Sequence, residues 1–246
     1  MKKSFGLALF SNSEVRLTYL RIMSKAALYL IPVPLSGGDI SSLSPDSVEA
    51  ARHLNIFVAE RAKSARQFLK SIRHPTPLNE IIIYEYPQKT DPDFEKNIII
   101  LLLEGASIGL VSEAGVPCIA DPGFELVSMA QDQDIRVVPF AGPNSIVIAL
   151  MASGFSGQQF CFHGYLPAKK EFLRTKLIQI SQDLKKTNTA QIFIETPYRN
   201  KQVLEVVKNN ITPEIKLCIA SGALSLTPYL SSAFANTIST CGMITS

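Results

Sequence analysis

Residues 108 to 123 read Ile-Gly-Leu-Val-Ser-Glu-Ala-Gly-Val-Pro-Cys-Ile-Ala-Asp-Pro-Gly, an apolar run that breaks into small residues around one glutamate, Glu113. Small side chains let a backbone approach a ligand closely, and in a doubly wound sheet ligands bind beyond the carboxyl ends of the strands. A glycine-rich turn alone is equally a tight strand-to-helix connection. Glu113 adds chemistry, because a carboxylate among apolar and glycine residues is costly to bury without a partner.

Two groups of cations could hold phosphates. Lys63, Arg66, Lys70 and Arg73 recur at spacings of three and four, which aligns them on one helix face, and no acid lies between Arg61 and His74. Lys169, Lys170, Arg174 and Lys176 form a second group after Tyr165-Leu166-Pro167, where Tyr165 could stack on a base. Either group is also compatible with a solvated face. No metal site is expected: His53, His74 and His163 are scattered, and Cys118, Cys161, Cys218 and Cys241 form no CxxC pair. The same cysteine spacing gives no disulfide framework, so a reducing compartment is the simplest expectation.

The elements that must position these residues follow from hydrophobic periodicity. Short apolar runs at 28–31, 56–59, 81–84, 108–111 and 135–140 read as strands. Helical patterns lie between them at 45–54, 62–72, 93–103 and 121–131, the last opened by Asp121 as N-cap and Pro122 at the first helical position. Strands that alternate with helices imply a parallel sheet, since parallel neighbours need crossover connections. A linking helix is expected over 144–152. A second unit then has strands at 160–163, 192–195 and 215–220 and helices at 171–184 and 199–209. The segment after Gly222 shows no pattern, so this second sheet is read as lacking a closing strand. The expected organisation is an extension over 1–26, an α/β domain over 27–142, a linker over 143–158 and a second α/β domain over 159–246 with a mixed sheet.

Composition narrows the class. With 46% hydrophobic and 18% charged residues the chain is an ordinary globular one, and a net charge of +3 is too small to announce a nucleic-acid binder without local clusters. The apolar run Phe5 to Phe10 is shorter than a signal-peptide core, and Ile98 to Leu103 falls well short of a membrane span, so a soluble, cytoplasmic protein is expected.

Several segments, taken together and in order, resemble the tetrapyrrole methylase superfamily, in particular its ribosomal RNA 2'-O-methylating branch. They are the opening strand and Pro-rich turn Leu28 to Asp39, Val111-Ser112-Glu113-Ala114-Gly115-Val116-Pro117 with Asp121-Pro122-Gly123, and Val138-Pro139-Phe140-Ala141-Gly142-Pro143-Asn144-Ser145. Phe162-His163-Gly164-Tyr165-Leu166-Pro167 and Ile194-Glu195-Thr196-Pro197-Tyr198-Arg199 follow. The resemblance covers residues 27 to about 220. It implies S-adenosylmethionine as cofactor in a cleft between two α/β domains, with contact positions at Leu35, Ser112, Glu113, Ala114, Val116, Ser145, Ile146, Ile194 and Glu195. It also implies a homodimer that methylates a ribose of small-subunit ribosomal RNA. Glu113 is the candidate base, with Lys169 or Arg199 as electrostatic partner. Lys63, Arg66, Lys70, Arg73, Tyr165, Lys169, Lys170 and Arg174 are the candidate RNA contacts.

The chain departs from the branch in four places. Glu113 and Val116 replace its usual aspartate and threonine, Glu60-Arg61-Ala62-Lys63 replaces Glu-Asp-Thr-Arg, and 219–226 lacks Arg-Glu-Leu-Thr-Lys. The end from Tyr229 also fails to match. Two alternatives stay open on the sequence: the same fold acting on a tetrapyrrole or a protein side chain, and a non-catalytic RNA- or nucleotide-binding module. Against a tetrapyrrole, the first loop is Pro32-Val33-Pro34-Leu35-Ser36-Gly37-Gly38-Asp39 rather than Gly-x-Gly-x-Gly-Asp-Pro.

Overall fold

A computed structural model describes residues 26–35, 39–87, 91, 93–221 and, as backbone, 229–234. The opening segment, Ser36 to Gly38 of the first loop, Gly222 to Pro228 and the end from 235, including Cys241, lie outside the described residues. The described chain forms two units. The first comprises 27–31, 45–113 and 117–140, and the second comprises 32–44, 114–116 and the chain from 141.

The first unit is a five-stranded, all-parallel sheet. Its strands are β1 (Ala27–Ile31), β2 (Ile56–Ala59), β3 (Ile82–Glu85), β4 (Ile108–Val111) and β5 (Arg136–Pro139), in the order β3-β2-β4-β1-β5. Burial explains the order. Every residue of β4 and four of five in β1 are buried, whereas β3 and β5 carry exposed residues at both ends, as edge strands do. Helices α1 (Pro45–Arg52), α2 (Ala62–Ser71), α3 (Phe94–Leu103) and α4 (Phe124–Asp132) supply the crossovers. Leu28, Val58, Ile108 and Leu110 from the sheet join Ile98, Leu102, Leu126 and Ala130 of α3 and α4 in one core cluster. Each such side chain, once buried, contributes about 1.5–3 kcal/mol.

α2 buries Ala65, Phe68 and Leu69, and Arg52 of α1 seals its end by donating to the carbonyls of Ile72 at 2.7 Å and Arg73 at 2.8 Å. Those carbonyls belong to the C-cap residue and the one after it, just past the helix, where no further turn supplies donors. α4 corrects a sequence expectation. It begins at Phe124, not at Pro122, and its N-cap is Gly123 at φ 122°, so Asp121 is not a cap. The left-handed region at Gly123 turns the chain into the helix, and a Cβ there would lie 2.7 Å from Leu110 Cδ2.

The second unit contains α5 (Ser145–Ser153), β6 (Phe160–Tyr165), α6 (Lys170–Thr187), β7 (Ala190–Ile194), α7 (Asn200–Asn210), β8 (Lys216–Ser221) and β9 (Tyr229–Phe234). β6 and β7 pair in parallel, and β8 and β9 pair antiparallel in a separate ladder. Both directions of pairing are present, as a mixed sheet requires, but they lie in two ladders rather than one. β9 also corrects the expectation that no strand follows Gly222. Its sequence, Tyr-Leu-Ser-Ser-Ala-Phe, is broken by Ser231-Ser232 and so lacks the period-two alternation of a strand, and the pairing with β8 organises it. Leu173, Leu177 and Ile180 of α6 pack with Val203, Val206 and Val207 of α7 and Ile219 of β8.

Candidate functional site

The order β3-β2-β4-β1-β5 sends the chain from β1 toward β2 and from β4 toward β5, so two neighbouring strands discharge their connections in opposite directions. That is a topological switch point, where open α/β sheets bind ligands. The loops after β1, β4 and β5 meet around Gly115. Val33 N–H donates to Gly115 O at 2.9 Å, and Gly115 N–H donates to Val33 O at 3.1 Å. A Cβ on Gly115, which adopts φ 78°, would stand 2.8 Å from Pro143 O and 3.0 Å from Leu35 Cδ2. Backbone therefore meets backbone where the three segments converge, and only glycine fits the contact. Asn144 caps α5 by accepting from Ile146 N–H at 3.0 Å and Val147 N–H at 3.1 Å, which fixes the entry of that helix.

This junction gathers five of the residues singled out by resemblance, Leu35, Ala114, Val116, Ser145 and Ile146, on segments that contact or adjoin Gly115. Ile146 is buried, and Leu35, Ala114, Val116 and Ser145 are half-buried. Ser112 is buried at the end of β4. Ile194 ends β7 and is buried beside Glu195.

In the first unit a trio of carboxylates lies at the carboxyl ends of β2 and β4. Glu60 follows β2, Glu113 follows β4, and Asp121 sits in the loop before α4. Arg61 Nε lies 4.0 Å from Glu113 Oε2. Burial pushes Asp121 up to about 6, and the Glu60 and Glu113 carboxylates add to the effect. Burial raises Glu60 as well, helped by Glu113 and opposed by Arg61. Burial first, and then the like charges of Glu60 and Glu113, disfavour the ionised form of Asp121. Sequence reasoning read Asp121 as a helix cap and missed this. The available signal was Gly123, which can end the turn before a helix starts.

Glu195 and Arg199 form the second ionic feature. Glu195 is 2% exposed, and its Oε1 lies 3.2 Å from Arg199 Nη1 and accepts from Thr196 N–H at 2.9 Å. Arg199 also donates to Leu166 O at 3.1 Å and Pro167 O at 2.6 Å. Its guanidinium thus ties the exit of β6 to the segment after β7. Lys169 is exposed at the start of α6, with Nζ 6.0 Å from the Phe172 ring centroid. Lys170, Arg174 and Tyr165 are exposed on the same segment. Lys63, Arg66 and Lys70 are exposed on α2 opposite its buried face, while Arg73 lies past the helix at φ 52°.

The five-stranded parallel sheet with its switch point has the fold of the tetrapyrrole methylases. Among solved structures, the methyltransferase CobJ aligns with 87% of this chain and 88% of its own at TM-score 0.57 and 17% identity. The cobalamin biosynthetic enzyme cobalt precorrin-4 methyltransferase CbiF aligns with 87% of each chain at TM-score 0.56 and 12% identity. No family model matches the sequence. Curated relatives named ribosomal RNA small subunit methyltransferase I include those of Buchnera aphidicola, 32% identical over 86% of this chain and 70% of its own, and Halalkalibacterium halodurans, 33% identical over 76% and 61%. That of Vibrio cholerae is 30% identical over 78% of this chain and 63% of its own. The chain belongs to the ribosomal RNA small subunit methyltransferase I family. It spans 61% and 63% of the length of the Halalkalibacterium and Vibrio relatives it matches.

Proposed function

We propose that this chain transfers a methyl group from S-adenosylmethionine to a ribose 2'-hydroxyl of small-subunit ribosomal RNA. The observation that carries the proposal is the convergence of three loops on Gly115 at the switch point of the parallel sheet. The names of the relatives support the choice of acceptor. The residues present fit a nucleoside cofactor: apolar Leu35, Val116 and Ile146 stand on segments whose backbones are held close together, and Ser145 is half-buried beside them. Ser112, Glu113, Ala114, Ile194 and Glu195 complete the proposed contacts by resemblance. When bound, the cofactor supplies a methyl group already activated on a sulfonium.

The chain's own task is then to bind, orient and move one proton. A ribose hydroxyl is a poor nucleophile near neutral pH, so a positioned base contributes. Asp121, raised to about 6 first by burial and then by the Glu60 and Glu113 carboxylates, would accept that proton at an Oδ atom. Glu113 itself remains the second candidate for the same role. Lys169 would stabilise the developing alkoxide electrostatically. Arg199, committed to Leu166, Pro167 and Glu195, would act by positioning the segment after β7. Phosphate contacts are assigned to Lys63, Arg66, Lys70 and Arg73, and to Lys169, Lys170 and Arg174 with Tyr165 stacking on a base. Homodimer formation and action in the cytoplasm belong to the same reading and rest on resemblance.

Calorimetric titration with S-adenosylhomocysteine tests the cofactor site. Wild-type chain should bind at one site, and Gly115→Ala should weaken binding by at least about tenfold, because it strains a positive φ and displaces Pro143. Absence of binding to wild type would refute the cofactor assignment. Labelled cofactor offered with small ribosomal subunits, with free tetrapyrrole and with no acceptor then assigns the substrate. Binding without transfer to any acceptor would favour a non-catalytic module.

A further inference from the structure

The two parallel strands β6 and β7 end side by side, with Tyr165 the register partner of Ile194. The segments that leave them therefore emerge at one end of the ladder, the end at which parallel strands place their ligand loops. Beyond β7 the chain makes one short turn, Pro197–Arg199, in which Arg199 N–H donates to Thr196 O at 3.0 Å. The turn is clamped. Arg199 donates to Leu166 O and Pro167 O after β6, and its Nη1 lies 3.2 Å from the buried carboxylate of Glu195. Proline at the start of the turn fixes one more backbone angle.

This turn carries Tyr198, which is 84% exposed, more than any other large apolar or aromatic side chain among the described residues. A single exposed ring is ordinary on a loose loop. Here the next residue is anchored, so the ring stands on a rigid base. A second ring, Phe172 near the start of α6, is 57% exposed, with Lys169 Nζ 6.0 Å from its centroid. Charge selects the partner. Lys169, Lys170, Arg174 and Lys201 are exposed on the same two segments, and Glu171 is the only acid within 164–176 and 196–204. Protein interfaces are depleted in lysine. Proteins that hold single-stranded nucleic acid combine aromatic faces with cations along the backbone. A duplex suits the rings poorly, because its bases are already stacked on one another.

We propose that Tyr198 is a stacking platform for an unpaired base of RNA, with Phe172 as a second ring and Lys201 joining Lys169, Lys170 and Arg174 on the phosphates. The inference rests on the reading of RNA as acceptor, and it narrows that acceptor to a single-stranded segment laid across the carboxyl ends of β6 and β7. Tyr198 binds the substrate and takes no part in the chemistry. Because Arg199 holds the turn before RNA arrives, little ordering of the chain is needed on binding.

The test is fluorescence anisotropy of the full 246-residue chain with a labelled octanucleotide RNA that has no self-complementarity, offered alone and annealed to its complement. Wild type should bind the single strand about tenfold or more tightly than the duplex. Tyr198→Ala should weaken single-strand binding by about tenfold, the scale of one base–aromatic stack, and leave its salt slope unchanged. Tyr198→Phe keeps the ring and should bind as wild type does. Lys201→Ala should instead lower the slope by about one, and an unchanged slope would remove Lys201 from phosphate contact. Equal binding of the two RNA forms, no binding of the single strand, wild-type affinity in Tyr198→Ala, or Tyr198→Phe as weak as Tyr198→Ala would overturn the platform. Titrating the same protein with S-adenosylhomocysteine separates the two readings. Ring-dependent RNA binding without cofactor-product binding would refute methyl transfer and leave the platform standing, and the reverse result would refute the platform alone.

Discussion

Asp121 shows how one side chain acquires chemistry from its neighbours. Its raised value means that the folded chain holds a proton more tightly than the unfolded chain, so the carboxylate costs stability above pH 6 and that cost vanishes as pH falls toward 4. Asp121→Asn should therefore stabilise the fold at pH 8, by about 1 kcal/mol once solvent screening of this half-buried group is allowed for, and do nothing at pH 4. Urea unfolding at the two pH values measures the difference, and equal effects at both would remove the carboxylate trio as its cause. The same substitution should abolish an acid limb near pH 6 in the rate of methyl transfer. Arg199 illustrates the opposite case. Arg199→Ala would leave Glu195 buried with its charge uncompensated and two carbonyls without donors, a loss of about 3 kcal/mol. A shift in urea midpoint corresponding to less than about 1 kcal/mol would show that water replaces the guanidinium.

At the scale of elements, α2 separates two jobs on one cylinder. Ala65, Phe68 and Leu69 face the core, and Lys63, Arg66 and Lys70 face solvent. Replacing those three cations by alanine should leave the fold intact and reduce the salt dependence of RNA binding by about two in slope. An unchanged slope would assign α2 a purely solvated face. Helices such as α2 were legible from sequence because their apolar residues recur at helical spacing. So were β1, β2 and β4, short apolar runs closed by Pro32, Glu60 and Ser112. The start of α4 was not, since Asp-Pro fits a helix start well and only the geometry at Gly123 decides against it. β9 was hidden for a different reason: a strand that owes its form to its partner carries little signal of its own. Of the site, the glycine loop could be read, because Gly115 is unusual as a residue type. The carboxylate trio could not, because it joins residues 60, 113 and 121 through the order of strands, which no local pattern encodes.

For the whole molecule, the proposed cofactor site predicts stabilisation by the cofactor product. S-adenosylhomocysteine at one hundred times its dissociation constant should raise unfolding free energy by about 2.7 kcal/mol, seen as a higher Tm that depends on its concentration. No shift at saturating concentration would contradict the proposed site. No helix among the described residues is long and apolar enough to cross a membrane.

The division into two units has a practical corollary for anyone cutting the gene. The polypeptide changes unit after residues 31, 44, 113, 116 and 140, so a stop codon or fusion junction anywhere in that stretch deprives both units of pieces they need. Neither can be cloned as one uninterrupted N-terminal or C-terminal half. Fragments split within residues 32–140 should be insoluble apart and recover structure only when co-expressed.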